Sequence, residues 1–204
     1  MGVDIYGVSP KLIGTKPEFP NDEIWNTLSS EEKDAHFKAI DDFENNNPGY
    51  YFRNNWWAWR PIQYLMIGLN DNYGLGLTDE QCKLLGENSG LVTDDLDTCN
   101  RLANALETIV NDLKQDNIEF VWMLSGSWSQ RAVMEDGRIT SIMPSKSVKD
   151  ALNNKYGVNR LSFDKEFVTD DKPDILYEPS HGSSLKNIER FIAFLRNCNG
   201  FEIH

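Results

Sequence analysis

Long apolar runs are missing from this 204-residue chain. Nowhere do the roughly 18 consecutive apolar residues needed to cross a bilayer occur, so no membrane span is expected. Met1 to Ser9 lacks the basic start and apolar stretch of a secretion signal, and a cytoplasmic location follows as the expectation. Cysteine is scarce: Cys82, Cys99 and Cys198 are the three, with no C-x-x-C pair, which fits thiols packed as small hydrophobes in a reducing compartment. Basic charge is also short. Twenty Lys and Arg against 32 Asp and Glu leave a net charge of −12. Such a surface repels phosphates, which excludes direct nucleic-acid binding over a broad face. Two arrangements stay open, a local basic pocket on an acidic body or an acidic surface that imitates nucleic acid.

Complete catalytic and metal motifs are lacking as well. His36, His181 and His204 are scattered and no H-E-x-x-H or Gly-Lys-Ser/Thr loop occurs. Gly74-x-Gly76 lacks the third glycine of a dinucleotide fingerprint, and Gly126-Ser127-Trp128-Ser129-Gln130 has Gln where a nucleophile elbow needs Gly. Asp94-Asp95-x-Asp97 lacks the glycine of a calcium loop and reads as the acidic start of a helix. Glu178 could orient His181 in a cleft, but a loop ending in an N-cap serine accounts for the same residues. No metal and no cofactor are expected.

What is present is ordinary globular composition, 40% hydrophobic and 25% charged, at a length that suits one domain over residues 1–204. Val3-Asp4-Ile5-Tyr6 alternates as a short strand, and the prolines and glycine of residues 10–22 read as an extended loop. Ser29-x-x-Glu32 and Thr78-x-x-Gln81 are capping boxes, each opening a helix. The first of these helices carries Phe37, Ile40 and Phe43 at helical spacing, and Pro61 fits the first position of another, running to about Leu69. Leu102, Ala103, Leu106, Ile109, Val110 and Leu113 form one face of a helix over about 98–114, and Leu185, Ile188, Phe191, Ile192 and Leu195 form that of a last one opening at Ser183 or Ser184. Strands are expected at 120–124 and 201–203, a hairpin around Asp136-Gly137, a short helix at 147–156 and an exposed acidic loop over 164–174. Together these give an α+β fold, helices packed on a modest, partly antiparallel sheet.

The informative segment is Tyr50 to Pro61. Six of the chain's 23 aromatic residues fall in ten positions, and from Tyr50 to Leu69 there are two arginines and no acid. Arg53 and Arg60 can take a phosphate or carboxylate through paired hydrogen bonds, Trp56, Trp57 and Trp59 can stack on a base, and the Asn54 and Asn55 amides can read a polar edge. Pro61 is expected to hold Arg60 extended and to begin a helix whose free N–H groups attract an anion. The alternative reading makes the same rings core and the arginines partners of carboxylates. Asp4 and Tyr6 share one strand face, so an Asp4–Arg53 or Asp4–Arg60 pair is expected if that face meets the arginines.

Gly2-x-Asp4-Ile5-Tyr6-Gly7, then Tyr51-Phe52-Arg53-Asn54-Asn55-x-Trp57-x-Trp59-Arg60-Pro61, and the ending Phe191-Ile192-Ala193-Phe194-Leu195-Arg196-Asn197-Cys198-x-Gly200-Phe201-Glu202-Ile203 together resemble a family of uncharacterised proteins from bacteria and their phages. Asn70-Asp71 with Gly76-Leu77 is similar to that family's middle motif. Many members carry a cysteine-rich, zinc-knuckle-like insert, whereas residues 114–180 here hold no cysteine. The family has no settled activity, so the resemblance implies a bacterial or phage source (and host cytoplasm, if phage-encoded) but no reaction.

Three functions follow as expectations. The first is a small-molecule binding protein that sequesters an anionic, nucleotide-like ligand, a class that includes host-defence signals. Its site would comprise Asp4, Tyr6, Arg53, Asn54, Asn55, Trp56, Trp57, Trp59, Arg60, Asn70 and Asp71. The second is an acidic inhibitor of a host nucleic-acid-binding protein, and the third an enzyme acting on nucleotides through acids such as Asp4 or Asp71 with His181. A homodimer is the expected assembly if the pocket lies between subunits.

Overall fold

The computed structural model describes residues 2–87, 89–123, 130–133, 139–140, 161–162, 167–169, 172–179 and 182–204. Its helices are α1 (Asp22–Thr27), α2 (Ser30–Asn46), α3 (Trp56–Tyr73), α4 (Asp79–Glu87), α5 (Leu96–Gln115) and α6 (Leu185–Leu195). The strands are β1 (Gly2–Gly7), β2 (Tyr51–Asn55), β3 (Gly90–Thr93), β4 (Phe120–Met123), β5 (Gln130–Val133) and β6 (Ile139–Thr140). They continue with β7 (Leu161–Ser162), β8 (Phe167–Thr169), β9 (Lys172–Pro179), β10 (Gly182–Ser184) and β11 (Phe201–Ile203). The fold is α+β in a single domain, as the patterning predicts, and every strand pair among the described residues is antiparallel.

The sheet that carries the candidate site is ordered β2-β1-β11-β3. Alternation decides its two faces. Val3, Ile5, Phe52, Phe201 and Ile203 point inward and are buried, whereas Asp4, Tyr6, Tyr51, Arg53 and Glu202 alternate with them on the other side. The inward face meets α3, α5 and α6, whose stripes supply Trp59, Ile62, Leu65, Leu102, Leu106, Ile188, Phe191 and Phe194, all with no exposed surface. Each large side chain buried in this way contributes about 1.5–3 kcal/mol of transfer free energy. Two further sheets, β10-β4-β7 and β6-β5-β9-β8, complete the described strands.

Local signals hold where they are self-contained. Ser29 and Glu32 form the reciprocal capping box of α2, and Thr78 and Gln81 make the same exchange at α4. Asp95 caps α5 by accepting from the N–H groups of Asp97 and Thr98. Three expectations change. The helix expected to begin at Pro61 begins at Trp56, because the Asn55 side chain accepts from Ala58 N at 2.8 Å and makes an earlier cap; Pro61 lies in its second turn. Residues 167–169 and 172–174 belong to paired strands, so the 164–174 stretch is not simply an exposed loop. On α2 only Phe43 is buried, and Phe37 stays exposed. The hairpin's arms pair as Ala132↔Thr140 and Val133↔Ile139. Its turn, the 147–156 helix, residues 126–129 and His181 lie outside the described residues.

Candidate functional site

Cross-strand register turns the outer sheet face into a small grid. Arg53 pairs with Asp4 and Tyr51 with Tyr6 across β2 and β1. Across β1 and β11, Tyr6 pairs with Glu202, and Asp4 and His204 exchange backbone hydrogen bonds of 3.1 and 2.8 Å. The outward residues therefore stand in two rows, Arg53–Asp4–His204 and Tyr51–Tyr6–Glu202. Within them the Tyr51 hydroxyl donates to Asp4 Oδ1, and Arg53 Nε lies 3.6 Å from the same oxygen. The Tyr6 and Tyr51 rings are 5.0 Å apart, and His204 Nε2 is 3.3 Å from Glu202 Oε1. Burial, then the Asp4 hydrogen bond and charge, holds the Tyr51 phenol well above its ordinary value, and burial followed by Asp4 raises that of Tyr6. Both rings stay neutral, with the Tyr51 proton directed at Asp4.

Of the two pairs that strand parity leaves open, Asp4–Arg53 forms, whereas Arg60 stacks on Trp56 instead. The Asp4–Arg53 pair is open to water: the Arg53 side chain keeps 68% of its accessible surface. A screened pair of this kind holds the guanidinium in place with a stabilisation of only about 0–1 kcal/mol, which leaves most of its donors for another anion.

Around β2, the edge strand of this sheet among the described residues, the grid runs into a cleft of about 370 Å³. Asp41, Glu44, Asn45 and Pro48 line it from the end of α2, Tyr51, Phe52 and Arg53 from β2, and Arg190 and Ala193 from α6. The Arg190 guanidinium lies over Phe52, 5.5 Å from the ring centroid. Burial and the neighbouring Asp41 charge raise the Glu44 carboxyl above its ordinary value, so its negative charge is disfavoured in this cleft. The α2 end of the cleft is fixed by a close backbone approach. A Cβ on Gly49 would lie 2.2 Å from the Asn197 carbonyl carbon, and one on Gly7 only 2.1 Å from Gly49 O. Those two glycines let the turn after α2 settle against β1 and the segment after α6.

The remaining residues expected at the site separate into four places. Trp56, Trp57 and Arg60 stand at the start of α3, where Arg60 stacks 4.0 Å above Trp56 and donates to Gln63 Oε1 at 3.4 Å. Arg60 is helical, not extended, and the Asn55 side chain already occupies one N–H of that helix end. Trp59 is sealed in the core with its ring edge-on to Phe191 at 5.3 Å, so it offers no stacking face. Asn54 is buried on the inner sheet face, and its Nδ2 has no hydrogen-bond partner among the described residues. Asn70 clamps Leu77 through both backbone groups at 2.9 and 3.0 Å, and Asp71 follows it in the chain. Both lie roughly 21 Å along α3 from Trp56 at the rise of an α-helix, so they do not join Arg53. Asp4, Tyr6 and Arg53 are the expected residues that the fold does assemble.

Sequence reasoning did not find Tyr51, Glu202, His204 or Arg190 as site members. Period-two alternation on β11 would have placed Glu202 and His204 outward. Arg190 gives no such signal, because only tertiary packing brings α6 beside β2. Among the described residues no group of three His, Cys, Asp or Glu side chains is placed to hold a metal ion. No helix there is long and apolar enough to cross a membrane. No family model, no curated protein and no solved structure matches this chain.

Proposed function

We propose that the protein binds a small anionic, nucleotide-like molecule in the cleft at the β2 edge. The observation that carries this reading is that Arg53 and Arg190, brought from a strand and a helix distant in sequence, line one cleft beside two aromatic rings. Guanidinium groups take phosphate or carboxylate through parallel hydrogen bonds, and the Tyr51 ring supplies a flat surface at the same opening. Asn45 can donate to and accept from a polar edge, while Asp41 and Glu44 select for a ligand that brings amino groups to that end. Sequestration without turnover is the proposed action. The resemblance to bacterial and phage proteins makes cyclic nucleotides and ADP-ribose derivatives, as host-defence signals, the first compounds to screen.

A thermal-shift panel of mono-, di- and cyclic nucleotides tests it. At a hundredfold excess over Kd a ligand stabilises by about 2.7 kcal/mol, a shift of several degrees. Arg53→Ala and Arg190→Ala should each remove most of that shift, and Glu44→Gln should strengthen the binding of a purely anionic ligand. A panel with no stabilising compound, or shifts that survive both arginine variants, would overturn the reading. Mass analysis after incubation should recover the bound compound intact.

A further inference from the structure

We propose that the loop over residues 8–21, α1 and α2 form a docking surface for a cationic protein segment with an apolar side. The surface shares α2 with the cleft, whose Asp41, Glu44 and Asn45 lie near the end of that helix, but its ring cluster of Phe19, Trp25, His36 and Phe37 includes no residue that lines the cleft. α1 buries none of its side chains, and the 17 residues of α2 bury only Phe43. What these elements hold instead is a ring cluster. Phe19 packs on Trp25 at 4.7 Å and edge-on to His36 at 5.0 Å, and Trp25 meets Phe37 edge-on at 5.4 Å. Even after this mutual packing Phe19 is 57% exposed, Phe37 49% and Ile24 51%. Nor are the loop's apolar residues out because its backbone is unattached. Val8 N donates to Gly200 O at 2.9 Å, and the buried Asn47 side chain grips both the N–H and the carbonyl of Ile13, whose side chain is still 71% exposed. Apolar groups held outward on a fixed backbone mark an interaction site.

Charge chooses the occupant. Residues 22–46 carry eight acids against two lysines, half of the chain's net charge of −12. A second copy would bring the same acids to the contact, and an anionic bilayer would be repelled by them. A segment rich in Lys or Arg with leucine-like residues on one side satisfies both the rings and the carboxylates. The Trp25 ring already accepts such a cation within the chain, with Lys33 Nζ 5.5 Å from its centroid.

The test titrates the full chain with a synthetic amphipathic Leu/Lys peptide and with its Leu/Glu counterpart, by calorimetry at low and moderate salt. The Lys peptide should bind and weaken as salt rises, and the Glu peptide should not bind. The double variant Phe19→Ser/Phe37→Ser should lose about tenfold in affinity, with Leu91→Ser, an exposed apolar change on β3, leaving it unaltered. Glu31→Lys/Asp34→Lys should weaken the same peptide without touching the rings, which keeps the test decisive if the ring variant fails to fold. Equal binding of both peptides, or retention of affinity in both double variants, overturns the proposal. So does a dimer in sedimentation that Phe37→Ser dissolves, since the occupant is then a second copy.

Discussion

At the scale of the residue, neighbouring tryptophans of one short segment have opposite physical roles. Trp59 is fully buried beneath α6, while Trp57 is 53% exposed on the first turn of α3. Composition cannot separate them, because the aromatic excess at 50–59 fits a ligand platform and a core equally well. The fold divides the segment between the two. Trp59→Ala should cost about 3–5 kcal/mol through lost burial and a residual cavity, whereas Trp57→Ala should cost less than about 1 kcal/mol. Urea unfolding at a common pH reads both. Similar losses would mean that Trp57 is as deeply engaged as its neighbour. Strand parity was the informative residue-level signal: it predicts that Asp4 and Tyr6 share a face, and the register with β2 then sets Arg53 opposite Asp4.

Elements were legible in the sequence wherever their ends close on themselves. The capping boxes at Ser29 and Thr78 each need four residues and no distant partner, and the α5 stripe repeats often enough to define its face. The start of α3 was not legible, because Asn55 and Pro61 are both helix-start signals. The choice between them depends on where β2 ends against β1. β3 was missed because Gly90-Leu91-Val92-Thr93 is four residues long and gains its strand character from β11, over a hundred residues away. The cleft shares this difficulty, since three elements separated in sequence meet only in the packed chain. Caps carry a pH signature that is testable. The Asp95 carboxyl lies below its ordinary value of 3.8, first because the Thr98 hydroxyl donates to it and then through backbone N–H bonds. A depressed folded value makes the cap's contribution complete above 3.8 and lost as pH falls through the lowered value. Asp95→Ala should therefore lower Tm at neutral pH, with the gap to the parent protein closing in acid below that range. A gap independent of pH would mean that the ionised cap does not matter.

For the whole molecule, the decisive feature is that β1 and β11, from opposite ends of the described chain, are the two central strands of the sheet that carries the candidate site. The grid therefore forms only after the longest loop closures in the fold, which links site formation to global folding. Two thiols report on that linkage. Cys99, in the first turns of α5, and Cys198, between α6 and β11, are both fully buried with sulfurs 3.7 Å apart. The hydrogen bond from Cys198 to Cys99, and then burial, raises the Cys198 thiol well above its ordinary value and keeps it unreactive. Cys82 is only partly buried, and burial together with Asp71 and Asp79 raises its thiol as well. Exposing the Cys99–Cys198 pair requires α5 to part from the segment that leads into β11. In native buffer a thiol reagent should thus label Cys82 at most, with Cys99 and Cys198 following together at the rate of global unfolding and all three reacting at once in denaturant. Mass spectrometry of a labelling time course reads this directly. Rapid labelling of Cys198 in the native protein would show that β11 detaches locally, and Glu202 and His204 would then join the outer grid only transiently while Arg53 stays paired with Asp4 across β2 and β1.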